Sequence, residues 1–431
     1  MMVSIIMPVY NALDFLETSV GDIRNQTYTD FELICVDDGS NDGSSEILDE
    51  YAINDSRIRV IHQENKGGGA ARNHGLHEAK GKYVLFLDSD DRFEPDLLEK
   101  SIAKAESEKA EVLIYGGDTF DHANGKRKQA SWLIKGSKEI STKNPFEIIN
   151  TSVWNKLYLR EHILNHCIAF QENRIVDTMY FVFMAVVYAS KLIVVPDVLI
   201  HYRVNNSKSI LSNSDRYPLE ALDALHYIKE KLEFDGKFEE KKRIFAEYAA
   251  QYLIDRLNLM KTSGGYCTLY DAIHEYGIRK IGLEDFIENY SDDNENIAQL
   301  KRIICKSSSE FLFEKRKQEQ ECGLLRKESY RLLIPENDNV QRIVIYGGGN
   351  VGKDYVLQAL SNIKIKLVGW VDRDFINIGF PLQPLNVLDE LEYDRVILAV
   401  LSEKVAGSIR EDLINRGIPD EKIYWSKPCM I

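Results

Sequence analysis

Through the first hundred residues, short apolar runs alternate with segments of helical period. VSIIMPVY (3–10), FELICVDD (31–38), IRVIHQE (58–64) and YVLFLD (83–88) are rich in Val, Ile, Leu and Phe, as strands covered on both faces should be. Between them, ALDFLETSVGDIRNQ, SSEILDEYAI and GGAARNHGLHEAK predict helices. PDLLEKSIAKAESEK, with a proline at its start, predicts a fourth helix, and AEVLIYGG (110–117) a further strand. Such alternation predicts a parallel, doubly wound α/β sheet.

The pattern then changes twice. Residues 150–210 are mixed, and YFVFMAVVYA (Tyr180–Ala189) predicts a buried helix. Over 215–335 strand character gives way to LEALDALHYIKEKL, KKRIFAEYAAQYLIDRLNLM and SEFLFEKRKQEQECGLLRKESYRLL, helices with charged outer faces. From Val340 a second βαβ pattern opens with RIVIYGGGNVGKDYVLQAL. The expected organisation is an α/β domain over 1–214, a helical region or linker over 215–335 and a Rossmann-like α/β domain over 336–431.

Composition narrows the partners. The 431 residues carry a net charge of −14 with no basic arm, which argues against nucleic acid. No apolar run approaches the roughly 20 residues that span a bilayer, so any membrane association is expected to be peripheral. The N-terminus has neither a basic n-region nor a small-residue cleavage site, and is not read as a signal peptide. Six scattered cysteines suit free thiols in a reducing cytoplasm, and peripheral association would place the chain at the inner face of the cell membrane.

Candidate chemistry gathers where the first four strands end, the place where ligands bind in a doubly wound sheet. Those ends read Tyr10–Asn11, Asp37-Asp38-Gly39-Ser40, HQENKGGGAARN and Asp88-Ser89-Asp90-Asp91. On an extended segment Asp88 and Asp90 point to one side, and their repulsion calls for a cation; carboxylate oxygens suit Mg²⁺ or Mn²⁺. The glycine-rich turn from Asn65 to Gly75 offers backbone N–H groups and a helix start to an anion, with Lys66 and Arg72 adding charge. Asp38 is placed to accept the N–H of a pyrimidine base; the competing role is a helix N-cap, for which Asp42 is better placed.

SIIMPVYN, QTYTDFELICVDDGSNDGS, NKGGGAARNHG, YVLFLDSDD and VWNKLY resemble, in this order, the motifs of family 2 glycosyltransferases, inverting enzymes of GT-A fold. The resemblance covers about residues 1–210. It implies transfer of a sugar from a nucleotide-diphosphate donor, a UDP-sugar by preference, to a hydroxyl of a glycan or lipid-linked acceptor in surface polysaccharide biosynthesis, with Mg²⁺ or Mn²⁺. Carried over by motif, Pro8, Tyr10, Asn11 and Asp38 face the base and ribose. Lys66, Gly67, Arg72, Asp88 and Ser89 also contact the nucleotide, and Asp90 with Asp88 binds the metal. Members resembling this chain place the general base in a Glu-Asp pair downstream of W-N-K-L. The matching stretch, FQENRIVDTMYF, gives Asp177 as base, with Val176 where the Glu would stand. Glu172 is the reserve, and the competing role for Asp177 is a helix cap. Trp154, Asn155 and Lys156 are assigned to the acceptor face, and His201 and Arg203 to a segment closing over the diphosphate, with His201 also a candidate metal ligand.

In the second βαβ unit Gly347, Gly349 and Gly352 have G-x-G-x-x-G spacing, and Asp372 stands where a ribose-binding acid would. The unit resembles Rossmann-like domains appended to polysaccharide-biosynthesis enzymes. Binding of NAD(P) or another nucleotide, and docking of a partner, both stay open. The alternatives for the whole chain are an NAD(P)-dependent nucleotide-sugar oxidoreductase or epimerase, and a non-catalytic sugar-nucleotide scaffold.

Overall fold

The computed structural model of the chain describes residues 1–121, 125–134, 144–172, 177–204, 217–260, 263–290, 294–305, 330–334, 342–360, 365–373, 382–383, 385–389 and 391–429. It falls into two compact units, 1–249 and 250–431.

In the first unit, β1 (Val3–Val9), β2 (Phe31–Asp37), β3 (Ile58–His62) and β4 (Tyr83–Phe86) pair in parallel in the order β3-β2-β1-β4. They are linked by α1 (Leu13–Arg24), α2 (Ser44–Asn54) and α3 (Gly68–Glu78). Every residue of β2 and β4 is buried, which is why these strands read as unbroken apolar runs. After β5 (Arg92–Phe93) and α4 (Leu97–Glu108) the sheet turns mixed. β6 (Val112–Asp121) carries the short β7 (Arg127–Gln129), and β8 (Lys156–Leu159) inserts antiparallel between β4 and β6. Following α5 (Arg160–Asn165) and α6 (Asp177–Tyr188), the long β9 (Leu192–Val204) runs parallel to β6 and ends antiparallel to β5. That last pairing sets Arg92 opposite His201 and so carries Arg203 to the acidic turn before β5. α6 is buried from Phe181 to Val187, with Phe170 stacked on Phe181 at 4.0 Å. α7 (Glu220–Phe234) lies against α6.

The second unit contains helices Ser263–Ala272, Glu284–Asn289 and Glu295–Cys305, followed by an all-parallel sheet. Its strands are β10 (Arg342–Tyr346), β11 (Lys366–Val371), β12 (Arg395–Leu398) and β13 (Ile423–Tyr424), in the order β11-β10-β12-β13. Side chains alternate along β10. Ile343 and Ile345 pack with Val351 and Tyr355 of the helix Asn350–Leu360, whereas Val344 and Tyr346 pack with Ile409 and Leu413 of the helix Glu403–Asn415. The helix expected over 309–333 lies largely outside the described residues, and its tail is not helical. There the Tyr330 and Leu332 N–H groups donate to Asp354 and Gln358 of the helix Asn350–Leu360. Among the described residues, no helix is long and apolar enough to cross a membrane, and the five cysteines are free.

Candidate active site

Hydrogen bonds tie the ends of the first four strands together. Past β1, Asn11 adopts φ 50°, a left-handed conformation that Asn tolerates. Its N–H donates to Ser40 Oγ at 3.0 Å, and its Oδ1 accepts from the Asn41 N–H at 2.9 Å. Pro8 sits within β1 opposite Val36, and Tyr10 stands 53% exposed at the strand's end, an aromatic face open to a ligand. Past β2, Asp38 is buried and its carboxylate is occupied. Oδ1 accepts from Gln63 Nε2 at 2.8 Å and the Lys66 N–H at 2.9 Å, and Oδ2 from the Gly67 N–H at 2.8 Å. In this geometry Asp38 shapes the turn in front of α3. Asp42, not Asp38, accepts from the Ser44 N–H in the first turn of α2.

The glycines of that turn answer to two different demands. Gly67 has φ 92°, a conformation that disfavours a side chain. Gly69 is needed for close approach: a Cβ there would collide with the Gln171 carbonyl oxygen and stand 3.2 Å from Asp177 Cβ. The turn is therefore pressed against the segment that leads to α6. Asn73 fixes the same contact, donating from Nδ2 to the Phe170 carbonyl at 2.9 Å and accepting the Phe170 N–H at 2.7 Å.

At the centre lies Arg72, buried on α3. Its Nη2 donates to Asp88 Oδ1 at 2.8 Å and its Nη1 to Asp177 Oδ2 at 2.6 Å, with the guanidinium 5.7 Å from the Phe170 ring centroid. Asp88 and Asp177, 89 positions apart in sequence, thus share one cation. Burial pushes the Asp177 carboxyl above the ordinary carboxylate range; the Arg72 charge opposes this and the Asp88 charge reinforces it. Asp177 is the first residue of α6 and also accepts the Thr178 N–H, so the cap role and the paired-acid role coincide. Glu172 is exposed, and Val176 lies outside the described residues.

β4 ends at Phe86, and the acids that follow form a turn rather than a strand end, closed by the Asp91 N–H donating to the Asp88 carbonyl at 3.4 Å. Extended geometry therefore does not set Asp88 and Asp90 on one side. Their proximity shows instead in Asp91, whose wholly buried carboxyl is driven well up, first by burial and then by the charges of Asp90 and Asp88. Its Oδ1 accepts the Arg203 N–H at 2.9 Å and its Oδ2 has no hydrogen-bond partner. Arg203 is held between Phe15 and Phe120, 4.6 and 4.5 Å from their centroids, and its Nε donates to the Asp90 carbonyl at 2.7 Å. Tyr202 feels the same three acids, which, after burial, raise its hydroxyl. Crowded carboxylates of this kind, partly exposed at Asp88 and Asp90, suit a hard divalent cation that takes further ligands from phosphate. Among the described residues no group of three or more His, Cys, Asp or Glu side chains forms a ready-made metal cage.

Other sequence candidates take supporting places. Asn155 and Lys156 are wholly buried; the Lys156 ammonium donates to the Ser152 carbonyl at 2.6 Å and Asn155 Oδ1 at 2.7 Å, and burial drives its pKa well down. They brace the start of β8 and line no open face. Trp154 is buried and stacked on Tyr202 at 5.2 Å, while Trp132, beside both, is 41% exposed. His201 has both ring nitrogens engaged, by Asp118 at 2.6 Å and Glu94 at 2.8 Å, which leaves neither for a metal. Lys66 is exposed at the turn, and Ser89 is half-buried between the acids. Sequence reasoning noted Asp91 without giving it a role and passed over Asn73 and Phe170; Asn73 adjoins a residue it chose, but Phe170 has no local signal.

The second glycine turn is tighter. Gly347 has φ 130°, its carbonyl accepts the Trp370 indole N–H at 2.7 Å, and a Cβ on Gly352 would collide with that carbonyl. Gly349 has open space around it. Asp372, the acid expected to take a ribose, accepts the Gly348 N–H at 2.6 Å, and its neighbour Arg373 pairs with Asp412 at 3.2 Å.

Comparison with known proteins places this arrangement. The model for glycosyl transferase family 2 matches residues 4–166. EpsH of Bacillus subtilis (strain 168), which carries a glycosyltransferase name, is 35% identical over 285 residues, 64% of this chain and 82% of that protein. The cholesterol galactosyltransferase of Borreliella burgdorferi (strain ATCC 35210 / DSM 4680 / CIP 102532 / B31) is 30% identical over 270 residues, 58% and 73% of the two chains. Among solved structures, S. aureus TarS 1-349 in complex with UDP-GlcNAc is similar at a TM-score of 0.47 and 18% identity, over 77% of this chain and 95% of that one.

Proposed function

The chain belongs to glycosyl transferase family 2 and is a glycosyltransferase; from that premise we propose that it transfers a sugar, with inversion, from a UDP-sugar to a hydroxyl of a glycan or lipid-linked acceptor. The observation that carries this reading is Arg72, one guanidinium joining Asp88 on the nucleotide side to Asp177 on the other.

Asp177 acts as the general base. The acceptor oxygen attacks the anomeric carbon, its proton passes to the Asp177 carboxylate, and the bond to the diphosphate breaks with its electron pair leaving on phosphate. A carboxyl raised by burial is a better proton acceptor than an exposed one. Arg72 holds that carboxylate in place and keeps it ionised. On the donor side Tyr10 offers its ring to the base, and Asp38, by taking the Lys66 and Gly67 N–H groups, holds the turn that opens α3. Asp90 with Asp88 would hold Mg²⁺ or Mn²⁺, which when bound neutralises the leaving diphosphate. Arg203, fixed to the Asp90 carbonyl, keeps that turn in register.

Work at the inner face of the cell membrane, in surface polysaccharide assembly, agrees with this chemistry. A single displacement at the anomeric carbon, with Asp177 as base, predicts a product of opposite anomeric configuration to the donor, read by proton NMR coupling on the newly formed linkage. Retention would overturn the direct role of Asp177.

A further inference from the structure

A groove of about 420 Å³ lies beside the site in the first unit, between α7 and the segment Cys167–Gln171. That volume is within the range of small-ligand sites. Phe170, Tyr180, Tyr227 and Phe234 give it an aromatic lining, with Gln171 and Lys231 among the polar contributors. It adjoins the reacting centre on two counts. The Gln171 carbonyl and Asp177 Cβ both crowd the position a Gly69 Cβ would take, and Tyr180 is one helical turn along α6 from Asp177.

We propose that this groove receives the hydrocarbon part of a lipid-linked acceptor and brings the adjoining hydroxyl to Asp177; the inference rests on the reading of Asp177 given above. Three observations favour an alkyl occupant. Tyr227, Lys231 and Phe234 recur at helical spacing along α7, so they share one face, and the two rings are 48% and 87% exposed. Large apolar side chains left to water on one face mark a surface that a ligand covers. The Lys231 ammonium lies 5.7 Å from the Phe234 ring centroid and pairs with Asp235 at 2.9 Å, and the other charged lining residue, Glu230, stands 3.5 Å from His226 Nε2, so the groove offers no free cation that would demand an anionic ligand. Finally, the side-chain oxygen of Gln171 is buried without a hydrogen-bond partner. An acceptor hydroxyl at that end is the donor it lacks.

The test uses the full chain carrying Asp177→Asn, titrated with methyl, octyl and dodecyl glucoside below their micelle concentrations. Burying a methylene completely tightens binding about fourfold, so a tail lying in an open groove should gain at least about tenfold from methyl to octyl. The double variant Tyr227→Ser/Phe234→Ser, at exposed positions that the fold tolerates, should lose that gain, and Phe234→Leu should keep it. Equal binding of methyl and octyl glucoside would make the groove a sugar subsite and overturn the proposal. So would a double variant that retains the chain-length dependence. Binding is read here without turnover, so it fails separately from the general-base reading, which falls if Asp177→Asn transfers sugar normally.

Discussion

In the first unit a carboxylate past the end of β2, Asp38, takes the N–H groups of Lys66 and Gly67 in the turn after β3; in the second, Asp372 past β11 takes the N–H of Gly348 in the turn after β10. Both turns are shaped by an acid from a neighbouring strand and both open a helix. They diverge in what surrounds them. The first is pressed against Gln171 and Asp177 and carries Arg72, which gathers two further acids. Around the second, among the described residues, Asp372 is engaged by the turn and Arg373 by Asp412. A glycine-rich strand–turn–helix is thus a backbone solution shared by both units. What sets the first apart is a buried cation, Arg72, shared by two acids, and on that basis it is proposed as the reaction centre.

Disturbing the acidic turn should separate the units most strongly. Asp90→Ala, or EDTA added to the intact chain, is expected to lower transfer at least about 100-fold, since the charge on the leaving diphosphate would go unneutralised. Full activity in chelator would remove the metal from the account. The glycines give a matched pair. Gly69→Ala should cost about 100-fold in transfer by displacing Gln171 and Asp177, whereas Gly349→Ala, with open space around it, should leave transfer unchanged. Initial rates of the two variants side by side decide this. At the shaping acids the effect is smaller. Asp38→Ala leaves two backbone N–H groups unpaired and should raise the donor KM about tenfold while costing about 1–3 kcal/mol in stability. Asp372→Ala should lower the melting temperature without altering the donor KM.

Much of this was legible in the sequence. β1, β2 and β4 are buried along nearly their whole length, and the runs of Val, Ile and Leu announce them, whereas β3 is fully buried only at Ile58. Glycines and acids at successive strand ends marked one region because the four parallel strands are neighbours in the sheet and end on the same edge. What stayed hidden depends on long-range pairing. β9 meets β5 across 109 residues, setting Arg203 on Asp90 and Asp91, and no local pattern encodes that distance. Lys156 looked like a site residue by motif, yet the burial that accompanies β8 insertion between β4 and β6 makes it a brace. The spacing argument for Asp88 and Asp90 assumed a strand where the chain turns. Asp177 was reached only through family resemblance, and its link to Arg72, 105 residues away, was not read from the sequence.

Because that link defines the centre, the most direct measurement is the transfer rate of Asp177→Asn beside its affinity for the UDP-sugar. An amide keeps the shape and loses the proton acceptor. The account predicts a rate lower by about 10³-fold with donor affinity within a few-fold of the unaltered chain. Transfer at the unaltered rate, or loss of donor binding equal to the loss of rate, would contradict it.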